Sequence, residues 1–256
     1  MKSFIALICV ILLTSSISFG QNMTYISVEG ALTSDKHEVF DPCETITSTR
    51  LITGSWGVSV GQQVHKNLLI ESGLIWKYFD EGYETLHYEP PLGPGAGIGD
   101  AFYAFQIPLR LISRINLNKE KLFLITTIGY HIGINRDYGN DYVYNLDDFP
   151  QIGPPYYIVG NDTIQNVSPV EDKHLRKTFG LIEAGLGLEY MIGNSLIIGL
   201  SSSYFVGLDN IFVEYMSTGI SNGNTSCSSD SAIGVSKGSY SNLRLTLKYD
   251  IDKFWR

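Results

Sequence analysis

A chain of 256 residues that is 44% hydrophobic, 12% aromatic and 17% charged has enough apolar surface to fold, which excludes a disordered polymer. Its formal charge of −8 and pI near 5.1 exclude a nucleic-acid partner, whose phosphates need clustered Lys and Arg. Three cysteines are too few for a disulfide scaffold, and after residue 13 no apolar run approaches the roughly 18 residues of a membrane-spanning helix.

The chain begins with Lys2, an apolar core from Phe4 to Leu13, and Ser18-Phe19-Gly20 before Gln21. A basic residue, a short apolar run and a small-x-small site form a secretory signal peptide. Residues 1–20 are therefore expected to be removed, leaving 21–256 as one domain that works outside the cytoplasm.

Beyond the signal the dominant period is two, that of a strand whose faces meet different surroundings. One face carries Ile26, Val28 and Leu32; then Ile52, Trp56, Val58 and Val60; then Leu68, Ile70, Leu74, Trp76 and Tyr78. It continues through Tyr103 to Ile115, through Leu122 to Ile134, through Ile182 to Tyr190, through Leu196 to Val206, and through Leu243 to Tyr249. These runs predict eight strands. Their connections alternate in length. Short links lie at Val64–Asn67, Asn116–Lys121 and Met191–Asn194, and long ones at about Thr33–Arg50, Asp80–Ala101, Arg136–Lys177 and Asp209–Gly238. Short turns at one end, long loops at the other and an even strand number predict an all-β, eight-stranded antiparallel up-and-down transmembrane barrel, located in a bacterial outer membrane.

The faces agree with this. The apolar face carries no Asp, Glu, Lys or Arg, as lipid contact demands, because Lys or Arg at mid-membrane costs about 2–4 kcal/mol. The opposite face carries Glu29, Glu71, Lys77, Arg110, Arg114, Glu183, Glu189, Arg244 and Lys248 among Gly, Ser and Gln. An eight-stranded barrel is narrow enough for side chains to fill it, so these nine are expected to form a polar plug. Glu29 should pair with Arg244 and Glu71 with Arg114. Trp76, Tyr78, Tyr103, Tyr130 and Tyr204 towards the loops, and Tyr190 and Tyr249 towards the turns, suggest interfacial girdles.

The segment Phe105-Gln106-Ile107-Pro108-Leu109-Arg110-Leu111, followed by Leu122 through Gly129-Tyr130, resembles the paired "IPL" and "GY" strands of the small Bacteroidetes-type outer-membrane β-barrel proteins, OmpA-like and PorT-like in size. Tyr204 to Ile211 is similar to that family's "Y-x-x-GL-x-NI" strand. The likeness spans the mature chain and implies a non-enzymatic envelope protein, with a role in surface recognition or as a secretion or assembly accessory. The family often ends on an aromatic in its last strand. Here Asp250 to Arg256 follows Tyr249, so either Tyr249 or Phe254 supplies that end. The expected partners are outer-membrane lipid, the barrel-assembly machinery, and a protein or glycan at the loops.

No catalytic, cofactor or metal residues are assigned. His131 falls on the lumen face, but position 133 is Gly133 and supplies no serine nucleophile beside it. His37, His65, His87 and His174 lack metal-ligand spacing. Gly93 to Asp100 joins antiparallel strands rather than a strand and a helix, unlike a dinucleotide loop. Gly54-Ser55-Trp56 leaves open a soluble lipocalin-like ligand-binding barrel, and a narrow porin-like channel is the other alternative. Cys43 and Cys227 lie in the first and last long links, which emerge side by side in a closed barrel, so a disulfide between them is feasible.

Overall fold

The computed structural model describes residues 23–43, 46–49, 52–85, 98–118, 121–136, 156–159, 162–193, 195–222 and 225–252. Its strands are β1 (Thr24–Phe40), β2 (Ile46–Thr49), β3 (Ile52–His65), β4 (Leu68–Thr85), β5 (Ile98–Asn118), β6 (Leu122–Asn135), β7 (Tyr156–Val159), β8 (Asp162–Leu175), β9 (Thr178–Ile192), β10 (Leu196–Gly207), β11 (Phe212–Asn222) and β12 (Thr225–Asp250). Eight of them form the wall, in the order β1, β3, β4, β5, β6, β9, β10 and β12, and antiparallel pairing of β1 with β12 closes it. Closure removes the sheet edge, so every wall strand finds its hydrogen bonds within the protein, which lipid requires.

Following register partners around the wall gives its stagger. Asp250 pairs with Tyr25, then the path runs through Gly61, Glu71, Arg110, Gly129, Glu183 and Phe205 to Tyr240, ten residues from its start on β12. That stagger accompanies a strand tilt of about 35–45°. All nine positions on the path face inward, so one spiral carries Glu71, Arg110 and Glu183 into the same stretch of lumen.

Alternation in burial matches alternation in sequence. On β10, Ile198, Leu200, Tyr204 and Val206 are exposed while Ile197, Ser201, Ser203 and Phe205 are buried. Inward glycines make room where larger side chains cross. A Cβ on Gly133 would lie 2.1 Å from the Phe179 ring, and one on Gly61 would lie 2.2 Å from the Tyr25 ring. Gly133→Val should therefore displace Phe179 and destabilise the barrel by about 1–3 kcal/mol, read from urea unfolding in lipid vesicles; unchanged stability would contradict this packing. Pro108 interrupts the β4–β5 ladder, which skips from the Ser72/Leu109 pair to Ile75/Gln106. Ser72 donates to the Pro108 carbonyl at 2.7 Å, recovering one of the bonds the ladder loses.

The long links differ from the sequence expectation, because strand pairing continues beyond the apolar belt. The link over 209–238 contains β11 paired with the outer half of β12, and that over 136–177 contains β7 and β8. β1 likewise runs on to Phe40 against Ile233. Most of the tyrosines and aspartates of the third link lie outside the described residues, as does most of Gly93 to Asp100. Cys43 is disulfide-bonded, whereas the Cys227 side chain lies outside the described residues. Non-reducing digestion and mass spectrometry should yield a cross-linked Cys43–Cys227 peptide; a free Cys227 thiol would refute that pairing.

Candidate functional site

The lumen holds all nine predicted charged side chains, each no more than 9% exposed. Inward residues of β1, β4, β5, β9 and β12 meet there because the stagger brings them to neighbouring levels. Arg110 on β5 lies at the centre. Its Nη1 approaches Glu29 Oε2 at 2.6 Å and Glu71 Oε1 at 2.9 Å, and its Nε approaches Glu183 Oε2 at 2.8 Å. A second contact, Nη2 to Glu29 Oε1 at 3.1 Å, makes the Glu29 contact two-pronged. Since β1 and β5 stand three wall positions apart, this guanidinium spans the bore.

Two further cations come from β12. Arg244 reaches Glu183 at 3.1 Å and Glu29 at 3.7 Å, so the expected Glu29–Arg244 pair forms. Lys248 lies 2.8 Å from Glu189 and 3.5 Å from Glu71, while Tyr25 donates to Glu71 at 2.9 Å. The expected pairing of Glu71 with Arg114 is replaced. Register sets Glu71 directly opposite Arg110, and Arg114, four residues nearer the turns, pairs with Glu189 at 2.9 Å.

Lys77 stands apart from this cluster, towards the loops. It pairs with Asp35 at 2.8 Å and donates to Thr53 at 2.8 Å; Thr53 in turn donates to Asp35 at 3.0 Å. Asp35 is a lumen residue that the sequence reading missed. The parity of β1 identifies it: positions 25, 27, 29, 33 and 35 all face inward, the last two beyond the apolar run that ends at Leu32. With Asp35 the ion-paired network holds five acids (Glu29, Asp35, Glu71, Glu183, Glu189) and five bases (Lys77, Arg110, Arg114, Arg244, Lys248), while Asp250 at the turn end and Glu214 of β11 are buried outside it.

The plug is also less polar than expected. Towards the loops, Phe79, Phe102, Phe179, Leu181, Phe205, Ile211, Phe212 and Tyr240 form a buried apolar cap. Phe205 stacks on Tyr240 with centroids 4.1 Å apart, and Phe79 stacks on Phe102 at 5.1 Å. Phe212 of β11 stacks on Phe102 of β5 at 6.0 Å, bringing the loop-side sheet over the mouth. Lys77 Nζ sits 4.4 Å from the Phe79 ring centre, joining the cap to the charged layer below. Tyr25, Leu69, Ile112 and Ile125 pack a smaller apolar floor at the turn end. The lumen is thus layered: floor, ion network, aromatic cap.

His131 lies within the network. Its Nε2 is 2.7 Å from Glu183 Oε2, and Ser203 Oγ donates to Glu183 Oε1 at 2.9 Å. The carboxylate lies between serine and imidazole, so His131 is not placed to take a proton from Ser203, and Arg110 and Arg244 hold the same carboxylate. Among the described residues no group of three or more His, Cys, Asp or Glu is arranged to hold a metal ion.

Outside, a second set of aromatics lines the wall. Trp56 stacks on Trp76 at 5.8 Å, Phe105 meets Trp76 edge-on at 4.1 Å, and Tyr78 lies 4.9 Å from Tyr103. All project from β3, β4 and β5 towards the loop end, where an interfacial girdle would stand.

A closed eight-stranded wall, apolar outside and charged within, is the fold of the small outer-membrane barrels. No family model and no curated protein matches this sequence, whereas solved structures match the fold. The outer membrane protein OprG from Pseudomonas aeruginosa is 12% identical with a TM-score of 0.50, covering 89% of this chain and 95% of its own. The N-terminal β-barrel domain of OprF from the same organism is 10% identical with a TM-score of 0.41, covering 90% and 98%. Neisserial surface protein A is 9% identical with a TM-score of 0.42, covering 90% and 99%.

Proposed function

We propose that this chain is an integral, non-enzymatic protein of the bacterial outer membrane whose lumen is a sealed structural core. Its loop-side strands then present a surface for recognition or for assembly of an envelope or secretion complex, the role that the PorT-like resemblance implies. The observation that carries the sealed lumen is Arg110, which meets carboxylates from β1, β4 and β9 at 2.6–2.9 Å and so closes the bore. An ion path would need water between these groups, and the aromatic cap and the apolar floor close both ends.

Location in the outer membrane is supported by the exposed belt. Val28, Val58, Leu74, Leu109, Ile128, Leu188, Leu200 and Leu245 are each more than 40% exposed, on different wall strands. A water-soluble lipocalin-like barrel would bury such residues around a ligand and expose charge, the reverse of this arrangement. Reconstituted in a planar bilayer at neutral pH, the protein should show no single-channel conductance. Steady unitary currents would overturn the sealed lumen in favour of a narrow pore.

A further inference from the structure

β1 and β12 close the wall, and they are the first and last of its strands in sequence. At the turn end hydrogen bonds hold their seam: the Thr24 amide donates to Asp252 Oδ2 at 2.7 Å, across 228 residues of chain, and the Ile251 amide donates to the Thr24 carbonyl at 2.9 Å. The loop end of the same seam carries a cysteine. Cys43 lies three residues beyond β1 and is disulfide-bonded. The sequence offers it Cys9 and Cys227, and Cys9 falls in the segment expected to be removed. The backbone favours Cys227 as well. β1 and β12 pair antiparallel as far as Phe40 and Ile233, so the chain leaving β1 runs toward the start of β12, where Cys227 stands. A ring closed by Cys43 and Cys227 contains β3, β4, β5, β6, β9 and β10 whole, and its bond spans the seam between β1 and β12.

We infer that Cys43 and Cys227 are joined by a disulfide-carrying oxidoreductase on the turn side of the membrane before the wall inserts, so that the first and last strands enter already tied. The bond needs an electron acceptor. One cysteine thiolate attacks the oxidant's disulfide to give a mixed disulfide, and the second thiolate displaces the oxidant as a dithiol, which carries away two electrons and two protons. A secreted chain meets such an oxidant in the bacterial periplasm. In the finished wall Cys43 stands at the opposite end of the β1–β12 seam from Tyr25 and Asp250, so the membrane separates it from that compartment. Oxidation therefore comes first. Its benefit lies in the closing step: pairing β1 with β12 shuts a loop of nearly the whole mature chain, which is entropically costly and slow. A bond formed beforehand removes most of that search. The inference rests on the membrane-barrel reading above, which makes the turn side periplasmic.

The test follows the full chain by pulse labelling in a Gram-negative host. Free thiols are blocked with an alkylating agent at each time point, and samples are run unreduced, with and without boiling. The disulfide form should appear before the heat-shifted barrel, and in a host lacking its periplasmic thiol oxidase it should form at least about fivefold more slowly. C43S/C227S should reach the barrel form at least about threefold more slowly than wild type. Barrels that appear first with both thiols free would overturn the inference. So would an oxidation rate that does not depend on the oxidase, a Cys43 bonded to any partner but Cys227, or a double variant that assembles at the wild-type rate. If the double variant gives no barrel at all, the order of oxidation and heat shift in the wild type decides. A wild-type chain that oxidises but never shows a heat shift refutes the barrel reading itself.

Discussion

Arg110→Met is expected to destabilise the barrel by about 3–5 kcal/mol or more, enough to remove much of the stability of an ordinary domain. The substitution keeps the volume of the side chain and deletes its charge. Glu29, Glu71 and Glu183 then lose a contact each at 2.6–2.9 Å in a lumen where none is more than 9% exposed. Arg244 and Lys248 still face these carboxylates, but the ion-paired network then holds five acids against four bases. A buried carboxylate without its partner is the costly species, rather than the absence of the pair. Adding Glu71→Gln to Arg110→Met should therefore recover part of the loss, because it restores the balance. Urea titration in lipid vesicles, followed by the fraction that keeps its unboiled gel mobility, gives the two differences. A single variant as stable as wild type would show that the network does not hold the wall together, and a double variant weaker than the single would refute charge balance as the reason.

Phe205→Ala should have an effect of similar size for a different cause. Phe205 is 1% exposed, stacks on Tyr240 at 4.1 Å and receives the edge of His131 at 5.1 Å. Truncation removes the centre of the cap and leaves a void that wall strands, fixed by their hydrogen-bonded register, cannot collapse to fill. Phe-to-Ala changes in such settings cost about 3–5 kcal/mol. The same change at Phe105, which projects outward against Trp76, should cost less, because lipid chains fill the space. Equal losses at both positions would contradict the inside–outside assignment of β5 and β10.

The wall was legible in sequence because lipid and lumen impose opposite demands at a period of two. Val58 and Ser59, or Leu188 and Glu189, fall on their correct sides by counting alone. Partner choice was not legible. Arg110 and Arg114 share one face of β5, and which of them meets Glu71 depends on the β4–β5 register and on a stagger fixed only when the eighth strand closes on the first. Asp35, Phe79, Phe102, Phe179 and Phe212 were missed for another reason. The apolar alternation stops before the strands do, yet parity carries on: Phe79 follows Lys77 on the inward face, and Asp35 follows Thr33. Three residues beyond each run, parity reaches Asp35, Phe79, Phe102, Phe179 and Tyr240, though not Ile211 or Phe212. β7, β8 and β11 fall in the long links, where no alternation of apolar residues is sustained over a membrane-spanning length.

A membrane-embedded barrel closed around a paired ionic core should be heat-modifiable in native envelopes. After carbonate washing of envelopes from cells expressing the full chain, the protein should remain in the membrane pellet. Unboiled, it should run on a denaturing gel at a mobility different from that of the boiled sample, because the closed, hydrogen-bonded wall resists detergent until heated. Release into the carbonate supernatant, or identical mobility with and without boiling, would rule out a closed membrane barrel.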